Sequence, residues 1–400
     1  MNRILFAWEL GAGVGHLSAF RQVAEVLLRR GHELTLAVRD LAGAAAVFEG
    51  VPLRIVAAPA CIRSYGGLAD PPLNYAEILM RYGYLDAAML KGLLRGWESL
   101  FELTGADRLV ADHAPTALLA ARRHGIARCT FGNPFAVPPP LSPSPNMRDW
   151  LAVAHERLAG SDAAVLGTIN AVLDPGSAPL TAVHQLFEGC GRLFVGSPDL
   201  DPYGPRDPAD YLGLLGGRSG STPVQWPVDG GLRVFAYLRQ DYPHIEAGLS
   251  ALAASGARCV VNLVAGRKEL IERFRSSRLS FTAGHVDLLA TMADCDVVVC
   301  HSGLGTVTAA LHAGRPLLLL PSQLEQFLLA RNVEKLGAGL TVHPENVAPD
   351  ISGALRRVLD EPACAQGARE FARRQGGETA AVLVERAVDR IENATTERPE

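Results

Sequence analysis

One stretch of the sequence combines a predicted anion site with polar groups suited to a sugar. An apolar strand predicted at 296–300 runs into a turn of small, polar residues: His301, Ser302, Gly303, Gly305 and Thr306. A helical pattern follows, so unpaired backbone N–H groups with partial positive charge would face outward at its start. Glycines there let an anion approach the backbone, and a histidine can donate a hydrogen bond to a phosphate oxygen. The turn is therefore predicted to bind a phosphate.

The same stretch continues through a second strand to an acid–amide pair. The tripeptide Gly-Arg-Pro at 314–316 precedes an apolar run that ends at Pro321, and Glu325 and Gln326 follow. Carboxylate and amide groups make hydrogen bonds with hydroxyl groups. The whole segment from 300 to 326 is thus predicted to hold both a phosphate and a sugar.

The first predicted strand-to-helix turn, Gly11–Gly15, is the second place where chemistry is indicated. Its glycines are similar to a dinucleotide fingerprint with Asp40 as the ribose-binding acid, but His16 stands where the third glycine belongs. A neutral imidazole can accept a proton near pH 7. Asp112 ends the predicted strand 108–111, and since the carboxyl ends of parallel strands meet, it could reach His16 and fix the ring tautomer. The alternatives are an ordinary first-turn histidine and an acid that balances a helix dipole.

These residues need a parallel sheet to position them, and the sequence alternates strand and helix patterns in the way that builds one. Strands are predicted at 3–8, 33–38 and 53–57, and the alternation restarts at 232–237. The 400 residues, 48% of them hydrophobic, suffice for two α/β domains, so we expect two facing doubly wound domains with ligands at the carboxyl ends of their strands. The predicted division is an N-terminal domain at 1–205, a Pro- and Gly-rich linker at 206–227, a C-terminal domain at 228–377, and a final helix within 378–400 that packs back on the first domain.

Composition argues against several classes of protein. The 38 basic and 42 acidic residues give a formal net charge of −4, which does not suit a nucleic-acid binder. No apolar run reaches membrane-spanning length, and the N-terminus enters a strand at once without a signal-peptide pattern. The seven cysteines lack Cys-x-x-Cys spacing and are expected to be free thiols. We therefore expect a cytoplasmic protein with no nucleic-acid partner and no integral membrane segment.

Several segments together resemble the nucleotide-sugar glycosyltransferases of the UDP-glycosyltransferase type, which include bacterial secondary-metabolite enzymes. The turn 301–306, the strand start 314–316 and the pair 325–326 match the donor-binding box of that family in register. The segment 11–16 is similar to its histidine-containing opening, and 109–112 to its partner-aspartate segment. The resemblance implies the GT-B fold, in which two such domains face each other.

The resemblance also implies an activity: inverting transfer of a hexose to a hydroxyl group, with no metal and no cofactor besides the donor. His16 would take the acceptor proton with Asp112 as its partner, and a small-molecule acceptor would bind near 65–84 and 131–140. A nucleotide diphosphate sugar would bind the second domain, with His301 donating to the diphosphate. The implied donor-binding residues are Arg239, Val286, His301, Ser302, Gly303, Gly305, Thr306, Glu325 and Gln326.

The chain departs from the family at three positions. Ala309 stands where many members carry a glutamate that binds the ribose hydroxyls, so ribose recognition is weaker or comes from elsewhere. Ala283 replaces the tryptophan on which plant members stack the base, which would leave the base on backbone groups near 285–286. Arg239 follows the first strand of the second domain in place of a Gly-Ser turn and could contact a phosphate by charge.

Three other functions stay open from the sequence. The absence of the ribose-binding glutamate, where this chain has Ala309, is consistent with a non-catalytic partner protein. A sugar-nucleotide epimerase uses the same architecture. The turn Gly11–Gly15 with Asp40 fits an NAD-dependent oxidoreductase.

Overall fold

The computed structural model describes residues 1–11, 15–207, 209–215, 224–228, 230–282, 284, 286–343 and 345–395. The chain divides into two compact units. The first comprises Met1–Pro198, Tyr203–Leu215 and Ala381–Glu400, and the second comprises Asp199–Pro202 and Gly216–Ala380. Parts of the predicted linker, residues 208 and 216–223, lie outside the described residues.

The described residues of the first unit form a seven-stranded sheet in which neighbouring strands are parallel. Its strands are β1 (Arg3–Trp8), β2 (Glu33–Val38), β3 (Arg54–Ala57), β4 (Arg108–Asp112), β5 (Ala127–Gly132), β6 (Gly191–Phe194) and β7 (Asp210–Tyr211). The order across the sheet is β3-β2-β1-β4-β5-β6-β7. β1 and β4 are therefore neighbours, and their register pairs Trp8 with Asp112. Ligands of open α/β sheets bind at the strand ends where the order reverses, which here lies between these two strands.

The helices of the first unit begin and end at signals that the sequence carries. They are α1 (Gly15–Arg29), α2 (Leu41–Val47), α3 (Tyr75–Met80), α4 (Ala87–Thr104), α5 (Pro115–His124) and α6 (His155–Asn170). α1 buries a stripe that includes Leu17, Phe20 and Val23 against the sheet, as its apolar spacing predicts. α5 has proline in its first turn and ends at Gly125 in the left-handed region, the usual asymmetry of helix ends.

The second unit repeats the strand order of the first. Its strands are β8 (Arg233–Arg239), β9 (Arg258–Val264), β10 (Leu279–Thr282), β11 (Val297–Cys300), β12 (Leu317–Leu319) and β13 (Gly339–Thr341). In the described residues they form a six-stranded parallel sheet in the order β10-β9-β8-β11-β12-β13. The order reverses between β8 and β11, so this unit has its own switch point at the end of β11.

Seven helices of the described chain surround the second sheet. They are α7 (Ile245–Ala254), α8 (Lys268–Phe274), α9 (Leu288–Asp294), α10 (Leu304–His312), α11 (Leu324–Lys335), α12 (Ile351–Asp360) and α13 (Pro362–Arg374). The middle of the sheet is apolar, with Val298 and Leu318 fully buried. No helix among the residues that the structure describes is both long and apolar enough to cross a membrane.

The last helix, α14 (Ala380–Glu392), belongs almost entirely to the first unit. Its inner face is buried through Leu383, Ala387 and Ile391. Arg30, at the end of α1, makes ion pairs with three acidic side chains on the outer face of α14: Glu385, Asp389 at 2.8 Å and Glu392 at 2.6 Å. The first unit is therefore completed by residues from both ends of the chain.

Candidate functional site

In the first unit, His16 and Asp112 meet at the carboxyl ends of β1 and β4. His16 lies in the first turn of α1, and its Nδ1 is 2.9 Å from Oδ2 of Asp112. The Asp112 side chain is completely buried, whereas the His16 side chain is 13% exposed. Nδ1–H donates to the carboxylate, so Nε2 is the ring nitrogen that can take up a proton. The structure thus brings together two residues that the sequence placed in separate strand–helix units, His16 after the first strand and Asp112 at the end of another.

Gly132, at the end of β5, makes room for the Asp112 carboxylate. A Cβ atom at this position would lie 2.7 Å from Asp112 Oδ2, and the φ angle of Gly132 is +102°, a conformation that side chains rarely adopt. Only glycine satisfies both constraints here.

Replacing Gly132 with alanine should therefore lower the free energy of unfolding by about 3 kcal/mol, from backbone strain together with the clash at Asp112. The matched control is Gly125→Ala, which has a φ of +62° but open space at its Cβ position, and should cost only about 1 kcal/mol. Denaturant unfolding of both variants measures the difference. Equal losses would contradict the assigned contact.

Two further aromatic residues surround the His16 ring. Trp8 stacks on it, with ring centroids 5.3 Å apart. His113 follows Asp112 with a φ of 45° and is 8% exposed, so it is a buried residue of the site. Burial lowers the pKa of His113 to about 3, with a smaller contribution from His16, so its ring is neutral. The sequence indicated His16 but not these neighbours, because Trp8 reads as one more apolar residue of a buried strand.

Glu9 directly follows β1, and its side chain contacts the start of α5. Its Oε2 accepts a hydrogen bond from the backbone N–H of Thr116 at 2.9 Å, and its side chain is almost completely buried. Burial raises the pKa of Glu9 to about 7, although the hydrogen bonds to Thr116 oppose the shift. The sequence analysis missed this residue, since a glutamate at the end of a strand carries no signal of burial.

The raised pKa of Glu9 predicts a loss of stability with rising pH. The folded protein binds the carboxyl proton of Glu9 more tightly than the unfolded chain does. The stability that this proton provides is therefore fully present below about pH 4.5 and is lost as the pH rises through 7. The loss amounts to about 3 kcal/mol for this one group. The Glu9→Gln variant should not show this pH-dependent loss of unfolding free energy, as measured by denaturant unfolding from pH 5 to 8. A pH-independent difference between the two proteins would contradict the prediction.

In the second unit, the predicted phosphate turn follows β11 and leads into α10. Ser302 is buried, has a φ of 60°, and its Oγ has no hydrogen-bond partner among the described residues. Gly303 is the N-cap of α10, with no side-chain hydrogen bond to cap it. Thr306 is buried in the first turn. The start of α10 therefore presents backbone N–H groups beside an unpaired hydroxyl group.

Neither the backbone conformation nor the available space requires a glycine at the two glycine positions of this turn. Gly303 has an ordinary φ of −69°, and Gly305 lies within the helix. A Cβ atom at either position would meet nothing within 4 Å. What the two glycines provide is open space in front of the helix start, which is the requirement for close approach of an anion.

His301 does not have the role that the sequence suggested. Its Nδ1 lies 2.7 Å from the carbonyl oxygen of Leu320, to which it donates, and its Nε2 accepts from the backbone N–H of Arg239 at 3.0 Å. Burial lowers the pKa of His301, which favours this neutral ring. A neutral imidazole has one N–H, and here it is already used. The expectation that His301 donates to a phosphate is therefore wrong for this structure, in which His301 ties the ends of β8 and β12 to the turn.

Arg239 lies at the end of β8 with its guanidinium paired. Its Nε and Nη2 donate to the two carboxylate oxygens of Asp241 at 2.9 and 2.7 Å. This bidentate pair raises the pKa of Arg239 and lowers that of Asp241. Both side chains are at least half exposed, so an incoming phosphate can compete for the arginine.

The remaining predicted donor residues lie on neighbouring turns. Glu325 and Gln326 are half-buried in the first turn of α11, which follows β12. The Gln326 Oε1 accepts from the backbone N–H of Ser322 at 2.9 Å, which fixes the turn, while the same amide still carries two donor hydrogens. Val286 is half-buried just before α9, and its neighbours Ala283 and His285 lie outside the described residues.

Asp40 has a structural role in place of the ribose contact considered from sequence. Its side chain accepts from the backbone N–H of Gly43 at 2.8 Å and caps α2. Residues 12–14 of the glycine turn lie outside the described part of the chain. Asp40 is therefore not available as the ribose-binding acid of a dinucleotide site.

The chain is similar to proteins that transfer sugars. Residues 247–384 match the family described as erythromycin biosynthesis protein CIII-like, C-terminal domain. The elloramycin glycosyltransferase ElmGT of Streptomyces olivaceus is 36% identical over 130 residues, which cover 31% of this chain and 33% of ElmGT. The chain thus matches only one third of the length of that relative.

Solved structures match almost the whole chain. The glycosyltransferase VinC in complex with dTDP aligns with a TM-score of 0.66 at 20% identity and covers 99% of this chain and 100% of VinC. The Streptomyces sp. SF2575 glycosyltransferase SsfS6, complexed with thymidine diphosphate, aligns with a TM-score of 0.64 at 20% identity, covering 98% and 100% of the two chains. The two doubly wound units therefore have the GT-B fold of these structures, and residues 247–384 are similar to the erythromycin biosynthesis protein CIII-like C-terminal domain.

Proposed function

We propose that the protein transfers a sugar from a nucleoside diphosphate sugar to a hydroxyl group of a small-molecule acceptor, with inversion at the anomeric carbon. The observation that carries the proposal is the 2.9 Å contact between His16 Nδ1 and the buried Asp112 carboxylate. A histidine oriented in this way by a carboxylate is suited to accept a proton from a hydroxyl group. The open start of α10 supplies the matching anion site in the second unit.

The proposed reaction is a single displacement. His16 Nε2 removes the proton of the acceptor hydroxyl as the oxygen forms a bond to the anomeric carbon. The bond from that carbon to the diphosphate breaks on the opposite face, so the anomeric configuration inverts. Asp112 stabilises the imidazolium that forms. The nucleoside diphosphate leaves with the bonding electron pair.

The start of α10 is the proposed site of the leaving diphosphate. Backbone N–H groups and the helix dipole would stabilise its growing charge, with Ser302 Oγ as an additional donor. This assignment gives the helix the role that a divalent cation plays in other transferases, so no metal is required. Arg239 would join the phosphate contacts after exchanging Asp241 for the ligand. Glu325 and the amide hydrogens of Gln326 are proposed to bind the sugar hydroxyls.

The donor is proposed to be a thymidine diphosphate sugar. VinC and SsfS6 are described in complex with thymidine diphosphate. Ala309, on the buried face of α10, cannot accept a hydrogen bond from a ribose hydroxyl. The deoxyribose of thymidine has no 2′-hydroxyl group and does not need that contact.

The acceptor is proposed to bind the first unit beside His16. Tyr75 and Phe135 flank His113, with ring centroids 6.0 and 6.2 Å from the His113 ring. These residues belong to the two segments, 65–84 and 131–140, that were expected from the sequence. Aromatic walls of this kind suit an apolar acceptor that presents one hydroxyl group to the base.

Calorimetry with dTDP, UDP and NADH tests the proposal, followed by turnover assays with the corresponding hexose donors in EDTA. We expect dTDP to bind more tightly than UDP, NADH not to bind, and transfer to continue in EDTA. Binding of NADH alone would favour an oxidoreductase. Absence of binding by either nucleotide would contradict the proposed donor site. Loss of transfer in EDTA, restored by a divalent cation, would contradict the role assigned to α10.

A further inference from the structure

Three ring nitrogens converge beside Gly11 in the first unit, and His16 supplies only one of them. A methyl group on the Cα atom of Gly11 would lie 3.5 Å from His16 Nε2, 3.7 Å from Trp8 Nε1 and 3.9 Å from His113 Nδ1. Gly11 is partly exposed and carries no side chain to fill this point. A ligand that presents a hydroxyl group to His16 therefore also comes within reach of Trp8 and His113.

A tryptophan is an unusual residue at position 8, where its indole nitrogen is buried. It is 1% exposed at the end of β1, and its Nε1–H has no hydrogen-bond partner among the described residues. Buried indole nitrogens normally have one, and a phenylalanine would fill the strand position without an unpaired donor. Trp97 on α4 is equally buried and also lacks a partner, so the unpaired nitrogen alone does not indicate a ligand. What distinguishes Trp8 is its position beside His16.

His113 gives the same point a second neutral polar group. It adopts a left-handed backbone conformation with a φ of 45°, and its Nε2 is buried without a partner among the described residues. Because its ring is neutral, it offers one hydrogen-bond donor and one acceptor but no charge. The His113 ring is therefore a polar, uncharged neighbour of His16, while the Arg39 guanidinium donates to the carbonyl oxygen of Gly11 at 3.5 Å.

We propose that Trp8 Nε1 donates a hydrogen bond to a second oxygen of the acceptor, while His16 binds the reacting hydroxyl group. This inference rests on the proposed function and adds a class of acceptor to it. An indole N–H can only donate, so the second group must carry a lone pair. The acceptor is an alcohol or phenol with a carbonyl or hydroxyl oxygen close to the reacting oxygen. An analogue without that oxygen leaves the buried donor unpaired, and sites built in this way reject such analogues.

The test compares two probes that differ only in that oxygen, 1-hydroxyfluoren-9-one and fluoren-1-ol, by their binding to the full chain. The wild-type protein should bind the ketone about tenfold more tightly. Trp8→Phe should abolish this preference, whereas Trp97→Phe, a substitution of the same kind at an equally buried site, should retain it. Equal affinity of the wild-type protein for the two probes, absence of binding, or a preference that survives in Trp8→Phe overturns the proposal.

A second measurement does not depend on the folding of the Trp8 variant. The four tryptophans of the ¹⁵N-labelled wild-type chain each give an indole N–H signal. The Trp8 signal should shift with 1-hydroxyfluoren-9-one and not with fluoren-1-ol, and an unchanged signal overturns the proposal. Neither experiment uses a nucleotide. Loss of dTDP binding in calorimetry would thus count against the proposed function, and loss of the probe preference against Trp8.

Discussion

Replacement of His16 by alanine is expected to lower kcat for sugar transfer by about 10²- to 10⁴-fold, the usual contribution of a general base. The variant lacks the nitrogen that is proposed to accept the acceptor proton, while the proposed nucleotide site lies in the second unit. Affinity for dTDP, measured by calorimetry, should therefore stay the same. The dependence of the rate on pH should also lose the limb that reports ionisation of the base.

A matched control is His124→Ala. His124 is at the end of α5 in the same unit, is 37% exposed, and takes no part in the proposed chemistry. It should retain both activity and nucleotide affinity. Transfer by the His16→Ala variant at the wild-type rate would contradict the assignment of His16 as the general base. An equal loss of dTDP binding would indicate that the substitution disturbs more than the base.

Replacement of Asp112 by asparagine should reduce kcat by a similar factor, about 10²- to 10⁴-fold. Asparagine has nearly the same size, but its amide can donate to Nδ1 and so stabilise the ring tautomer in which Nε2 already carries a proton. That tautomer cannot act as the base. The carboxylate would also be missing when the imidazolium forms.

Two measurements separate this role from a structural one. Asp112 is completely buried, so denaturant unfolding must show that the variant is folded under the assay conditions. Asp174→Asn provides the control for a carboxylate in an exposed ion pair, here with Arg123, and should keep its activity. Normal turnover by a folded Asp112→Asn protein would show that His16 needs no carboxylate partner.

The sequence predicted the strands and helices whose patterns are long and bounded by clear signals. β1 and β2 begin and end where predicted, since each is a mostly apolar run whose middle is buried. The contact between His16 and Asp112 was expected from topology, because neighbouring parallel strands end at one edge, and also from the family resemblance of residues 109–112. The GT-B fold, expected from the resemblance, is confirmed by the solved structures.

Other elements were missed because their signal is weak or nonlocal. β6, β7 and β13 have four residues or fewer, too short for a period to show. β5, with the sequence Ala-Arg-Cys-Thr-Phe-Gly, is fully buried although two of its six residues, Arg128 and Thr130, are polar. The partners of His301 are Arg239 at the end of β8 and Leu320 just after β12, 62 and 19 residues away in the chain, so nothing in the sequence indicated that both ring nitrogens are used within the protein.

The position of α14 has a consequence for how the protein is made. The first unit includes α14, and the ribosome adds this helix only after the whole second unit has been synthesised. Until then, Arg30 lacks its three carboxylate partners and the apolar face that α14 covers stays uncovered. The second unit is nearly continuous in sequence and can fold as it emerges. We therefore expect the half of the protein that is translated first to be completed last.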